Sequence, residues 1–231
     1  MPSIIVLDKL SPDGLALLDA AAKQGITYEV STGLKDEALR EALARHDGAI
    51  CRSGVKITAA SLAGNTRLRA IVRAGVGTDN IDKEAATRQG IVVMNTPAGN
   101  TVSTAEHAFA LLLGLSRNVA AADASLRAHT WDRNKFMGAQ LAGKAIGIVG
   151  LGRIGQAVAS RARAFDMRVL GFDPFLSADR ASELGIELYD NVRGMLPHVD
   201  YLTVHTPLTD ETRHLVGIPE LELLKPGVRL I

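Results

Sequence analysis

Three glycines stand in the run Gly150-Leu151-Gly152-Arg153-Ile154-Gly155, after the apolar stretch Ala145–Val149 and before Gln156-Ala157-Val158-Ala159, which reads as a helix. A strand, a tight turn and a helix in that order leave the first helical amides without acceptors, with the positive end of the helix dipole behind them. Such an arrangement can hold a diphosphate. In a chain with 22 glycines the spacing alone carries little weight; the strand before it and the helix after it give it meaning. Gly150 would permit the turn, Gly152 would let phosphate oxygens reach the main chain, and Gly155 would let helix and strand close together. Asp173 ends the next apolar run, Arg168–Phe172, where a carboxylate can accept hydrogen bonds from ribose hydroxyls. It would repel a 2′-phosphate, and Pro174-Phe175 brings no arginine to offset that, so the expected dinucleotide is NAD rather than NADP. The competing reading is that Asp173 only caps the turn at Pro174.

Other chemistries find less support. The single cysteine, Cys51, excludes an internal disulfide framework and suits a reducing compartment. Neither a His-Glu-x-x-His motif nor paired cysteines occur, so no metal is expected, and no Gly-x-Ser-x-Gly elbow is present. The formal charge of +1, spread over interspersed acids and bases, gives no footprint for nucleic acid or an anionic membrane. Met1–Val6 lacks the marks of a signal peptide, and Ala105–Leu115 is interrupted by Glu106, His107 and Gly114. A soluble, cytoplasmic protein is expected. Met94, Met137, Met167 and Met195 read as core filler, and Trp131 and Phe136 as residues packing a loop against the core.

The elements that must position the glycine turn alternate along the chain. Ile4–Leu7, Ala49–Cys51, Ala70–Val72 and Ile91–Met94 read as strands, and Pro12–Ala22, Lys35–Ala44 and Lys83–Arg88 as helices. After the turn-rich Asn95–Asn100, Ser103 and Glu106 suggest a capping box opening one long helix that reaches Arg127. A second series follows: strands Ala145–Val149, Arg168–Phe172, Ile186–Leu188, Tyr201–Val204 and Val228–Ile231, with a helix over Ile154–Phe165. The expected class is α/β: a Rossmann-type, doubly wound parallel sheet plus a smaller, flavodoxin-like α/β domain. The last strand runs to the final residue, which leads to the expectation that the chain is truncated and both domains incomplete at the C-terminus.

The runs Arg73–Asp82, Met94–Pro97, Gly143-Lys144, the glycine turn and His205-Thr206-Pro207-Leu208 make the chain resemble the D-2-hydroxyacid dehydrogenases over essentially its whole length. Trp131–Gly138 and Arg52–Thr58 narrow the resemblance to the branch that oxidises 3-phospho-D-glycerate to 3-phosphooxypyruvate in serine biosynthesis. The resemblance implies a substrate-binding domain over residues 1–99 and an NAD domain over 100–231, with the active site in the cleft between them. It implies Arg153 and Ile154 along the pyrophosphate, Asp173 on the adenosine ribose, Thr206, Pro207 and Thr212 lining the cofactor cleft, and Val76 on the nicotinamide side. Val76 departs from the hydroxyl-bearing residue common there. For the substrate it implies amides near Ser53-Gly54-Val55 and Gly75-Val76-Gly77 around the carboxylate, with Asn100 beside them. Arg52 and Arg73 would meet the phosphate, with Arg133 reaching in from a partner subunit of a homodimer or homotetramer joined through the NAD domains.

Hydride transfer also needs a proton acceptor. The family uses a histidine oriented by a glutamate, plus an arginine, all C-terminal to the strand at Val228–Ile231, so no catalytic residue is expected within this chain. His205 resembles a hinge and cofactor-packing position, and the other five histidines fall away from the predicted cleft. Two alternatives stay open: a relative acting on glycerate, lactate or glyoxylate, and a non-catalytic NAD-binding regulator.

Overall fold

A computed structural model describes residues 1–231. The chain divides at Asn100 into two units, Met1–Asn100 and Thr101–Ile231. The first runs β1 (Ser3–Val6), α1 (Pro12–Ala22), β2 (Thr27–Val30), α2 (Asp36–Arg45), β3 (Gly48–Cys51), α3 (Ala59–Leu62), β4 (Ala70–Arg73), α4 (Lys83–Arg88) and β5 (Val92–Asn95). Its five parallel strands are ordered β2-β1-β3-β4-β5, the flavodoxin-like arrangement. Ile5, Leu7, Ala49, Cys51 and Ile71 turn to one face and form a core with Leu39 and Leu43 of α2, Leu62 of α3 and Ala85 and Ala86 of α4. The strands expected from apolar runs are all present to within a residue. The edge strand β2 is an addition, because its residues are mostly exposed and show no apolar alternation.

At the N-terminal edge of this sheet, Asp47 holds three elements together. Its carboxylate accepts from the Ser3 amide (2.8 Å) and hydroxyl (3.0 Å) and pairs with the Arg67 guanidinium (3.1 Å). The Arg67 bond and the Ser3 amide keep its pKa well below the usual carboxylate value. A depressed native pKa adds stability above the unfolded value, about 3.9, and loses it as the pH falls. The melting-temperature gap between wild type and Asp47→Asn should therefore be widest near neutrality and shrink below about pH 4. A gap independent of pH would remove Asp47 from the acid response.

The second unit opens with α5 (Thr101–Ser116) and α6 (Val119–Arg127), followed by β6 (Ala145–Val149), α7 (Arg153–Ala164), β7 (Arg168–Phe172), α8 (Ala178–Glu183), β8 (Glu187–Leu188), α9 (Val192–Met195), β9 (Tyr201–Val204), α10 (Ile218–Leu221) and β10 (Arg229–Leu230). The order β10-β9-β6-β7-β8, all parallel, is the doubly wound arrangement with β6 at its centre. Every residue of β6 is buried, as a strand covered on both faces must be. Ile146 and Ile148 pack with Val169 against α5 and α7, while Ala145, Val149 and Leu170 pack with Met195 and Leu196 on the opposite face.

Four expectations need correction. The long helix is two helices, because Asn118 adopts a left-handed conformation (φ 53°) that ends the first one. Asparagine tolerates that conformation but does not announce it among polar neighbours. Helix α5 starts at Thr101, so Ser103 lies inside its first turn rather than at the cap, and Glu106 instead pairs with Arg161 at 3.4 Å. Trp131 is 80% exposed and does not pack a loop against the core. Met167 and Met195 are core residues, but Met94 and Met137 lie at the surface. No helix is long and apolar enough to cross a membrane.

Candidate nucleotide and anion sites

The glycine turn sits at the C-terminal end of β6, where the sheet order reverses between β7 and β9 and open α/β sheets bind ligands. The amides of Gly150 and His205 tie it to both neighbours, donating to Phe172 (2.8 Å) and Val149 (2.7 Å). Gly150 has φ +90°, and a Cβ there would lie 2.7 Å from the His205 carbonyl oxygen. At Gly155 a Cβ would overlap the Gly150 carbonyl oxygen, so helix and turn touch main chain to main chain. Gly152 differs: nothing lies within 4 Å of its Cβ position. As the N-cap of α7 it brings no capping side chain, and the amides of Gly152, Arg153, Ile154 and Gly155 have no protein acceptor. Four free amides, an open approach and a 12-residue helix form a diphosphate cradle.

Asp173 faces that cradle from the end of β7. One carboxylate oxygen accepts from the Leu151 amide at 2.7 Å, and the other from the Phe175 amide at 2.8 Å. The aspartate thus caps its own turn and also braces the glycine turn. Each carboxylate oxygen keeps a further lone pair, so ribose hydroxyls can still be accepted.

In the first unit, Arg52, Ser53, Arg73, Ala74, Gly75, Val76, Thr96, Gly99 and Asn100 line a cavity of about 370 Å³ at the C-terminal ends of β3 and β4. The Arg73 guanidinium is half-buried, forms no ion pair, and keeps its Nε buried without a partner. Arg52 is exposed, and its side chain is also unpaired. The amides of Ser53 and Val76 have no protein acceptor. Buried cationic groups persist when something of opposite charge can reach them. The cavity can therefore accept an anion. Gly54 and Val55, grouped with Ser53 in the sequence, instead line a neighbouring cavity of about 530 Å³ with Lys35, Arg40 and Lys56. Gly77 lines neither.

Residues 109–231, more than half of the chain, match the family model described as D-isomer specific 2-hydroxyacid dehydrogenase, NAD binding domain. The chain belongs to that family. It is 41% identical to a D-3-phosphoglycerate dehydrogenase of Methanocaldococcus jannaschii over 231 residues, all of this chain and 43% of that one. The chain thus spans less than half the length of the curated relatives it matches. Among solved structures it is similar to the TT0316 protein of Thermus thermophilus (33% identity, TM-score 0.88, covering 99% of this chain and 72% of that one). It is also similar to a D-lactate dehydrogenase of Aquifex aeolicus complexed with NAD and lactic acid (25% identity, TM-score 0.86, covering 99% and 67%).

The cradle of this 2-hydroxyacid dehydrogenase chain fits NAD, whose diphosphate would meet the free amides. Thr206 packs against Gly150, its Cγ2 2.9 Å from the Cβ position. Thr212 donates to the Pro207 carbonyl (2.5 Å) and accepts from the Thr209 amide (2.8 Å), so its hydroxyl folds the loop 207–212. Ile154 is half-buried against the core, and Arg153 is exposed. Arg133 lines an apolar-walled cavity in the second unit with Trp131, Phe136 and Leu126. Burial lowers the pKa of His205, whose Nε2 lies 2.9 Å from the Thr203 hydroxyl, and no carboxylate orients its ring. His46 has Glu29 at 3.8 Å, but it precedes β3, at the opposite sheet end from the anion cavity. Burial, with the Asp8 carboxylate adding to it, pushes the Cys51 thiol up to about 11, which leaves it unreactive.

Three polar residues given no role from the sequence meet these turns. Asp8 accepts from the Arg52 amide, Asn80 donates to the Arg52 and Val55 carbonyls, and Asn95 donates to the Val76 carbonyl at 2.6 Å. Asn80 and Asn95 fall inside the Arg73–Asp82 and Met94–Pro97 runs, which is the only signal the sequence offers for them.

Proposed function

We propose that the protein oxidises 3-phospho-D-glycerate to 3-phosphooxypyruvate, with NAD as hydride acceptor, at the start of serine biosynthesis. The observation that carries this reading is the pair of unpaired arginines, Arg52 and the half-buried Arg73, around one cavity with free amides. Forked guanidinium donors match a phosphate, and main-chain amides match a carboxylate. The curated relatives named D-3-phosphoglycerate dehydrogenase support the same substrate.

In this reading NAD, when bound, takes the hydride from the alcohol carbon. Gly152, Arg153, Ile154 and Gly155 hold the diphosphate, Gly150 shapes the turn, Asp173 accepts from the adenosine ribose, and Thr206, Pro207 and Thr212 line the cofactor. Val76 borders the nicotinamide. The Ser53 and Val76 amides, free at this cavity, receive the substrate carboxylate, with Gly75 and Asn100 lining the cavity and Gly54, Val55 and Gly77 beside it, while Arg52, Arg73 and a partner subunit's copy of Arg133 meet the phosphate. The family's histidine, glutamate and arginine, which move the hydroxyl proton and polarise the carbonyl, are assigned to no residue among 1–231. A cytoplasmic homodimer or homotetramer completes the proposal.

The test is NADH formation by the full-length protein. Arg73→Ala should raise KM for 3-phosphoglycerate about tenfold or more, and KM for D-glycerate far less, since a charge-assisted hydrogen bond contributes about 1.5–3 kcal/mol. Equal rises for both substrates would remove the phosphate from this site. Turnover of lactate or glyoxylate in preference would move the protein elsewhere in the family, and NAD binding without any turnover would make it a sensor.

A further inference from the structure

Arg52 has an exposed side chain on a loop, yet both polar groups of its main chain are held by side chains from distant parts of the first unit. Its amide donates to Asp8 Oδ2 at 2.5 Å, across 44 residues of sequence. Its carbonyl accepts from Asn80 Nδ2 at 2.7 Å, across 28. The same Asn80 amide group donates to the Val55 carbonyl at 2.8 Å, spanning the loop from its first residue to its last. Asn80 is fixed in turn, since its own carbonyl accepts from the Ile57 amide at 2.8 Å and Ile57 pairs with Ile81. The loop closes over the Asp8 carboxylate so tightly that a Cβ at Gly54 would overlap it.

These bonds occupy both end carbonyls of the loop, while the Ser53, Gly54 and Val55 amides between them have no protein acceptor. Asn80 also bears a cost, because its Oδ1 is buried without a partner. A residue serving only the core would do better as an apolar side chain of that shape, since an unmade buried hydrogen bond is unfavourable. What the asparagine supplies is two donors at one point, aimed at two carbonyls.

We propose that Asn80, with Asp8, is a positioning residue: the two clamp the main chain of Arg52 and so set where its guanidinium meets the substrate's phosphate. This rests on the substrate reading given above. Asn80 does not line the anion cavity and acts through Arg52.

The test is a double-mutant cycle in the full-length enzyme. Asn80→Ala should raise KM for 3-phosphoglycerate about tenfold to a hundredfold, the scale of a small misplacement of a binding group, with NAD affinity unchanged. In an Arg52→Ala background the same change should add less than about twofold, because the group it positions is already gone. Hydrogen exchange at the amides of residues 53–56 should quicken in Asn80→Ala. Full additivity with Arg52→Ala, or unaltered exchange in the loop, would overturn the proposal. If Arg52→Ala itself fails to distinguish 3-phosphoglycerate from D-glycerate, the phosphate reading fails instead, and loop exchange alone then decides the clamp. Should Asn80→Ala not fold, Asp8→Ala releases the other side of Arg52 and is read in the same cycle.

Discussion

Gly155→Ala should all but eliminate NAD binding and lower the melting temperature, whereas Gly152→Ala should impair NAD binding alone. At Gly155 the added methyl meets the Gly150 carbonyl oxygen, with Ile148 Cγ2 at 3.4 Å beyond it. Neither can step aside: the carbonyl belongs to a turn held on both sides by main-chain bonds to β7 and β9, and Ile148 is fully buried. Helix α7 or the turn must shift, and overpacking of this kind costs about 1–3 kcal/mol, more where the obstacle is main chain. The shift also misplaces the free amides of the cradle. A loss of about 3 kcal/mol in binding would be roughly a hundredfold in Kd. At Gly152 the methyl enters open space, so the fold is untouched and only an incoming phosphate would meet it. Titration calorimetry and thermal melts of the two variants check this directly. Should Gly152→Ala bind NAD as well as wild type, the diphosphate does not approach the turn there.

Asp173→Ala has the second largest expected effect. It removes the acceptor for the buried Leu151 amide and for the Phe175 amide, together with the charge proposed to face the ribose. Hydrogen bonds to a charged group contribute about 1.5–3 kcal/mol each, and a buried amide left unmade costs about 1–3 kcal/mol. NAD affinity should fall about tenfold to a hundredfold, and the preference over NADP should narrow because the carboxylate no longer repels a 2′-phosphate. Thermal stability should also fall, since the brace on the glycine turn is gone. The comparison of interest is binding against melting. A lower melting temperature with NAD affinity and selectivity unchanged would leave Asp173 as a turn brace only.

The parts of this protein that are legible in the sequence share one property: they are determined within a short stretch of chain. The apolar runs mark both sheets because a strand covered on both faces has to be apolar throughout, as β6 is. The glycine turn is readable because strand, positive-φ turn and helix N-terminus follow one another directly, and Asp173 because one crossover returns the chain beside the turn. Where signals are local but ambiguous, the reading slips. Asn118 breaks a helix that the apolar period carries through, and β2 shows no alternation because the edge of the sheet buries little of it.

The anion cavity belongs to the other kind. Arg52 and Arg73 meet because β3 and β4 pair in register, Cys51 opposite Arg73, and no feature of either residue's neighbourhood announces that. Ser53 and Gly54 are adjacent in sequence yet line different cavities, since the loop folds over Asp8 between them. The clamp of Asp8 and Asn80 on Arg52 joins the ends of β1 and β3 to the loop before α4, segments that are neighbours only in the folded unit. By itself, the sequence determined a dinucleotide-binding turn on a parallel α/β frame, because main-chain geometry is local. Tertiary structure alone decided which polar side chains hold the arginine loop, because hydrogen bonds across 28 and 44 residues exist only once the sheet order has brought their partners together.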